Sequence, residues 1–96
     1  MIIYLRKFGA ILTSRESGRE AFAAYQPTLR ELKPDELIEV DFDGVEVFTP
    51  SWADEFLTPL QERFGTRVTL RPSANPSVRE TLALLQEVRE KHGKDL

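Results

Sequence analysis

Leu37-Ile38-Glu39-Val40-Asp41-Phe42-Asp43-Gly44-Val45-Glu46-Val47-Phe48-Thr49-Pro50-Ser51-Trp52-Ala53-Asp54-Glu55 is the stretch that decides the fold of this chain of 96 residues. Leu37 to Phe42 is rich in apolar and β-branched residues, with Glu39 and Asp41 between them, which predicts a strand. Its apolar content is dense, which predicts burial on both faces, as in a parallel sheet. Asp43-Gly44 is a turn signal, and Val45, Val47 and Phe48 restart the apolar pattern. Thr49-Pro50-Ser51 then opens a helix with Pro50 near its first position. Ala53, Phe56, Leu57, Leu60 and Phe64 recur at helical spacing, Pro59 is expected to kink the helix, and Gly65 suits its end.

The same alternation continues in both directions. Upstream, Ile2 to Leu5 reads as a strand, and Ala10-Ile11-Leu12 either extends it past a bend at Gly9 or forms a second one. Thr13 or Ser14 offers an N-cap for a helix whose apolar stripe is Ala21, Phe22, Ala24 and Tyr25. Gly18 in that helix points to close packing against a neighbour, and Pro27 breaks or kinks it. Downstream, Arg67 to Arg71 alternates as a short strand. Asn75 and Pro76 then start a last helix with a buried stripe of Val78, Leu82, Leu85 and Val88, widened by Leu84 and stopped by Gly93. Strands joined through helices form a parallel sheet by right-handed crossovers, so the expected class is α/β, with residues 1–96 forming one domain.

Composition excludes more than it identifies. Hydrophobic residues make up 41% and charged residues 30%, a globular balance. There is no cysteine, which removes a disulfide framework, a thiol nucleophile and a thiolate metal site. A lone His92, read as a solvated residue, cannot build a multi-histidine site, and neither metal nor cofactor is expected. The formal charge of -3 gives no basic footprint for nucleic acid. No apolar run is long enough to cross a membrane, and Met1 to Lys7 lacks a signal-peptide layout, so a cytoplasmic location is expected.

Candidate site residues gather where the helices begin. In an open α/β sheet, ligands bind outside the carboxyl ends of strands, where helix N-termini present free N–H groups. Ser51 stands at such a point; it can cap the helix, bond a partner or carry a phosphate. Trp52 is either an exposed anchor or core, since Phe56 lies four residues on. Asp54 and Glu55 favour the positive end of the helix dipole, and as adjacent helical residues they do not converge by themselves into an acid/base pair. Ser14 and Arg15 open the first helix in the same way, with Arg15 able to clamp an acidic group. A parallel sheet puts both helix starts at one edge, so Ser14, Arg15 and Ser51 are expected near each other.

Two resemblances follow. Asp41-Phe42-Asp43-Gly44-Val45 resembles the aspartyl-phosphate motif of haloacid-dehalogenase-type phosphatases, implying an alternative in which Asp41 and Asp43 serve a small magnesium-dependent phosphatase. The broader resemblance starts from Phe42-Asp43-Gly44-Val45 and Thr49-Pro50-Ser51-Trp52-Ala53-Asp54-Glu55, joined upstream by Phe8-Gly9 and Ser14-Arg15. It is to the bacterial STAS-like family, largely uncharacterised in function, and it runs from about Ile2 to Gly65. It implies a small, mostly parallel mixed sheet with helices mainly on one side.

The distantly similar anti-sigma-factor antagonists bind a histidine-kinase-like ATPase and are switched by phosphorylation of a serine at the start of the helix after a central strand. By that resemblance Ser51 is the phosphoacceptor and Val47-Phe48 the preceding strand. The antagonists carry an aspartate, two serines and a glycine at this turn. Here Thr49-Pro50-Ser51-Trp52 puts a bulky indole where they have glycine, and Asp54-Glu55 adds negative charge. The implied function is a non-catalytic regulatory module that uses Ser14, Arg15, Thr49, Ser51, Trp52, Asp54 and Glu55. A plain homo-oligomer subunit is a further alternative.

Overall fold

The computed structural model describes residues 1–94, with side-chain surroundings through Glu90; the reading of His92 as solvated lies outside those described side chains. β1 (Ile2–Tyr4) is followed by a 3-10 turn (Leu5–Phe8), β2 (Ile11–Leu12) and α1 (Arg15–Leu29). Then come β3 (Ile38–Asp41), β4 (Val47–Phe48), α2 (Pro50–Phe64), a second 3-10 turn (Gly65–Arg67), β5 (Val68–Leu70) and α3 (Pro76–Lys94).

The strands form two ladders, β1-β3-β5 and β2-β4, and every pairing is parallel. Residues 2–12 therefore form two strands in different ladders, separated by the Leu5–Phe8 turn. The segment joining β3 to β4 breaks at the matching place. Val45 N–H donates to the Phe42 carbonyl at 3.1 Å, and Gly44 adopts φ 84°. A Cβ on Gly44 would lie 3.2 Å from the Arg6 Cβ, so the two breaks pack against each other. Ala10 and Leu12 carry the pairing onward by accepting bonds from Glu46, Val47 and Thr49.

One face of the larger ladder is covered and the other is wet. Ile3, Ile38 and Val40 are fully buried, while their neighbours Ile2, Tyr4 and Thr69 are exposed and Glu39 and Asp41 half-buried. This corrects the expectation that Leu37 to Phe42 is buried on both faces. β3 alternates buried and half-buried positions because the helices cover a single side. On the open side, Arg71 Nη1 reaches Asp41 Oδ2 at 2.9 Å and its Nη2 reaches Glu39 Oε2 at 2.6 Å.

The covered face meets an aromatic core. Trp52 stacks on Phe56 with ring centroids 5.1 Å apart, and Phe8 and Phe48 pack against the indole. α1 crosses α2 at Gly18, whose missing side chain brings the backbones together. A Cβ there would stand 2.5 Å from the Trp52 carbonyl oxygen. Pro27 does not break α1, which continues to Leu29; a proline in the last turn forfeits only one intrahelical bond. α2 likewise runs on past Pro59.

α3 departs from its expected stripe. Asn75 caps it, with Oδ1 accepting from Ser77 N–H at 2.8 Å, and Val78 is fully buried. Ser77 and Thr81 tie the helix to β4 through hydroxyl bonds to the Phe48 carbonyl, at 3.2 and 2.6 Å. Beyond that point the partners run out: Leu82 and Leu85 are half-buried, and Leu84 and Val88 are each 44% exposed. Val88 is therefore not part of a buried stripe, and Gly93 lies within the helix rather than stopping it.

Candidate functional site

The starts of α1 and α2 are stitched together. Ser14 caps α1 by accepting from Ser17 N–H at 3.0 Å. Thr49 occupies the N-cap position of α2 but aims its hydroxyl elsewhere. Its Oγ1 donates to the Thr13 carbonyl at 2.6 Å, and its N–H donates to the Leu12 carbonyl at 3.0 Å. Parallel pairing of β2 with β4 ends both strands at one level, so the helices that follow begin side by side. The expected convergence of Ser14, Arg15 and Ser51 at one edge is what the fold produces, and Thr49 joins them. It also leaves α2 without a side-chain cap on its first N–H groups.

Arg15 bridges the two helices. Its Nη1 lies 3.0 Å from Asp54 Oδ2 and 3.0 Å from Glu55 Oε1, and Arg19 Nη2 adds a 3.5 Å contact to Glu55. Arg15 clamps acidic groups, as its chemistry allows, and the ones that Nη1 holds are this chain's own. Asp54 and Glu55 lie beyond the first turn of α2, so they serve Arg15 rather than the helix dipole. They do not converge by themselves, but the guanidinium gathers both onto one nitrogen. The hydrogen bond from Arg15, then that from Thr58, holds the Asp54 carboxyl below the usual carboxylate range. The Arg15 bond holds Glu55 down, with Arg19 adding to it, and the two carboxylates push the guanidinium up.

Ser51 is the second helical residue of α2 and is half-buried. The N-cap position is held by Thr49, so of the three uses open to Ser51 capping is the one the fold removes. Among the described residues its hydroxyl has no hydrogen-bond partner. It opens on a cleft of about 200 Å³, with Arg15 and Asp54 beside it and Leu84, Leu85 and Val88 of α3 opposite. The sequence reading missed the contribution of α3. The signal available was Leu84, an apolar residue beside the core stripe, four residues before Val88.

Trp52 is removed from the contact surface. It is wholly buried, because its position turns the indole toward the sheet, where Phe56 stacks on it one turn later. Its Nε1 is the buried side-chain polar atom that lacks a partner among the described residues. Trp52 therefore fixes the backbone beneath Ser51 instead of touching a ligand.

Asp41 and Asp43 stand apart from this rim. Asp41 Oδ1 accepts from Asp43 N–H at 2.7 Å, closing the turn, while Oδ2 holds Arg71. Asp43 faces Arg6 at 3.5 Å and is largely exposed. Both Asp41 oxygens are thus engaged in holding the strand end. Among the described residues no three histidine, aspartate or glutamate side chains are grouped to hold a cation.

A family model described as a STAS-like domain of unknown function matches residues 25–74, just over half the chain. The chain belongs to this STAS-like family. The matched segment holds β3, β4, α2 and β5, and with them Thr49 through Glu55; Ser14 and Arg15 precede it. The α/β architecture with parallel ladders is consistent with a STAS-like fold. No curated protein and no solved structure matches the chain. No helix among the described residues is long and apolar enough to cross a membrane.

Proposed function

We propose that this STAS-like domain is a non-catalytic protein-interaction module with a regulatory role. Its contact surface is the rim where α1 and α2 begin, together with the exposed stripe of α3, and Ser51 is its phosphoacceptor. The observation that carries the reading is the Ser51 hydroxyl, unbonded at the start of α2 and open to a cleft. A group in that position is reachable by another macromolecule, and added phosphate falls at the positive end of the α2 dipole.

The partner class is a histidine-kinase-like ATPase, on the strength of the resemblance to the antagonist domains. In the modification, Ser51 Oγ loses its proton and bonds the γ-phosphorus of ATP, and ADP leaves. Leu84 and Val88, each 44% exposed beside the cleft, supply apolar surface for the same partner.

Mass spectrometry of the protein from its host, with pull-downs from the same cells, tests this. A phosphorylated Ser51 peptide is expected, together with an ATPase retained by the wild type and lost with Asp54→Lys or Val88→Asp. An unmodified Ser51 under every growth condition, with every partner retained by both variants, overturns it.

A further inference from the structure

We infer that Arg15 is the receptor, within the same chain, for a phosphate carried by Ser51; this rests on the reading of Ser51 as phosphoacceptor. Arg15 spends a single nitrogen on its carboxylates: Nη1 makes both 3.0 Å contacts, to Asp54 and to Glu55. Its Nη2 and Nε make no hydrogen bond among the described residues. A guanidinium is a planar fork whose unused edge suits a second oxyanion in bidentate fashion. The fork is also held in place, since two carboxylates fix one corner of it, so little freedom remains to be lost on binding.

Position and charge agree. Arg15 and Ser51 line one cleft of about 200 Å³, and Arg15 is 49% exposed. The residue three places after Ser51 is Asp54, a neighbour on the helix surface, so a phosphate there meets a like charge. Glu55 adds another, with Arg19 beside it on α1. The residues that α3 contributes to this cleft are apolar; Glu62 and Arg89 belong to the adjoining one on the far side of Asp54. Arg15 is thus the cation placed to offset a dianion at Ser51.

The test places phosphoserine at position 51 by genetic-code expansion and titrates it by phosphorus NMR, so no kinase is involved. The second ionisation of an unperturbed phosphoserine lies near pH ~6. It is expected to fall lower in the otherwise wild-type chain than in Arg15→Gln, by about half a unit or more, with Arg15→Lys intermediate. Loss of the interhelical contact alone is separated by the double variant Asp54→Asn/Glu55→Gln. That variant keeps Arg15 and removes two negative charges, so the ionisation stays low or falls further.

Equal titration of the wild type and Arg15→Gln overturns the inference. So does an upward shift in the double variant matching that of Arg15→Gln. A phosphoprotein that circular dichroism shows to be unfolded overturns it as well, since a received phosphate is a tolerated one. None of these outcomes bears on whether Ser51 is phosphorylated in the host, which the mass spectrometry decides separately.

Discussion

Replacing Gly18 by alanine tests the helix crossing that positions the rim, and it does so through the sign of the effect. On an uncrowded helix surface, Gly→Ala is stabilising by about 1 kcal/mol, because alanine has the better helix propensity. Here the new Cβ would stand 2.5 Å from the Trp52 carbonyl oxygen, 3.0 Å from its Cα and 3.2 Å from the Glu55 Cβ. The first two are backbone atoms of α2, so no rotamer change relieves them. α1 and α2 must separate by roughly 0.5–1 Å, and a gap of that size forfeits about a quarter to a half of each dispersion contact across the seam. Overpacking of this kind costs about 1–3 kcal/mol, and a backbone clash belongs at the upper end.

After the propensity gain is subtracted, Gly18→Ala is expected to lose about 2 kcal/mol, or about 8–16 °C in melting temperature for a domain of this size. Urea denaturation followed by tryptophan fluorescence gives the measurement, since Trp52 is the single tryptophan and is wholly buried. An unchanged slope with a lower midpoint marks a loss of stability alone. A variant that melts higher than the wild type would refute the close approach, and with it the helix geometry that sets Arg15 against Asp54 and Glu55.

Other outcomes follow from single contacts. Trp52→Phe is expected to be near neutral in urea midpoint, because the smaller ring leaves a cavity worth about 1 kcal/mol but also removes an unpartnered N–H, whereas Trp52→Ala costs about 3–5 kcal/mol. Asn75→Ala removes the cap of α3 and the bonds from Nδ2 to the Val45 and Glu46 carbonyls, so a loss of about 2 kcal/mol is expected in the same assay. Acid titration addresses the Arg15 contacts. Asp54 and Glu55 have depressed folded-state values, so their contribution is present above the ordinary carboxylate range and disappears as pH falls through the lower folded values. Melting curves at pH 7 and pH 3 should therefore show Arg15→Gln less stable than wild type at pH 7, with the difference shrinking at pH 3. A difference that persists unchanged at pH 3 would mean that Arg15 acts through packing instead.

The order of elements was legible in local chemistry. Ser14 and Asn75 each cap the helix their side-chain chemistry suits, Pro50 sits at the first position of α2, and Asp43-Gly44 turns the chain, because caps and turns are settled within a few residues. The alternation of strand and helix fixed the class, and with parallel connections it fixed that two helices start at one edge. Gly18 was readable as a point of close packing because a helix-interior glycine has a local cost that something must offset.

Tertiary structure alone decided the rest. The periodicity of Val78, Leu82, Leu85 and Val88 states which side of α3 is apolar, but not how far a neighbour extends to cover it; β4 and α2 cover only the first half. Trp52 could have faced water or the sheet, and the packing of Phe8, Phe48 and Phe56 around it decided for the sheet. Arg15 and Asp54 are 39 residues apart, and no local rule pairs them. Their contact exists because β2 and β4 end together and Gly18 lets the helices close, which is a property of the folded chain rather than of either segment.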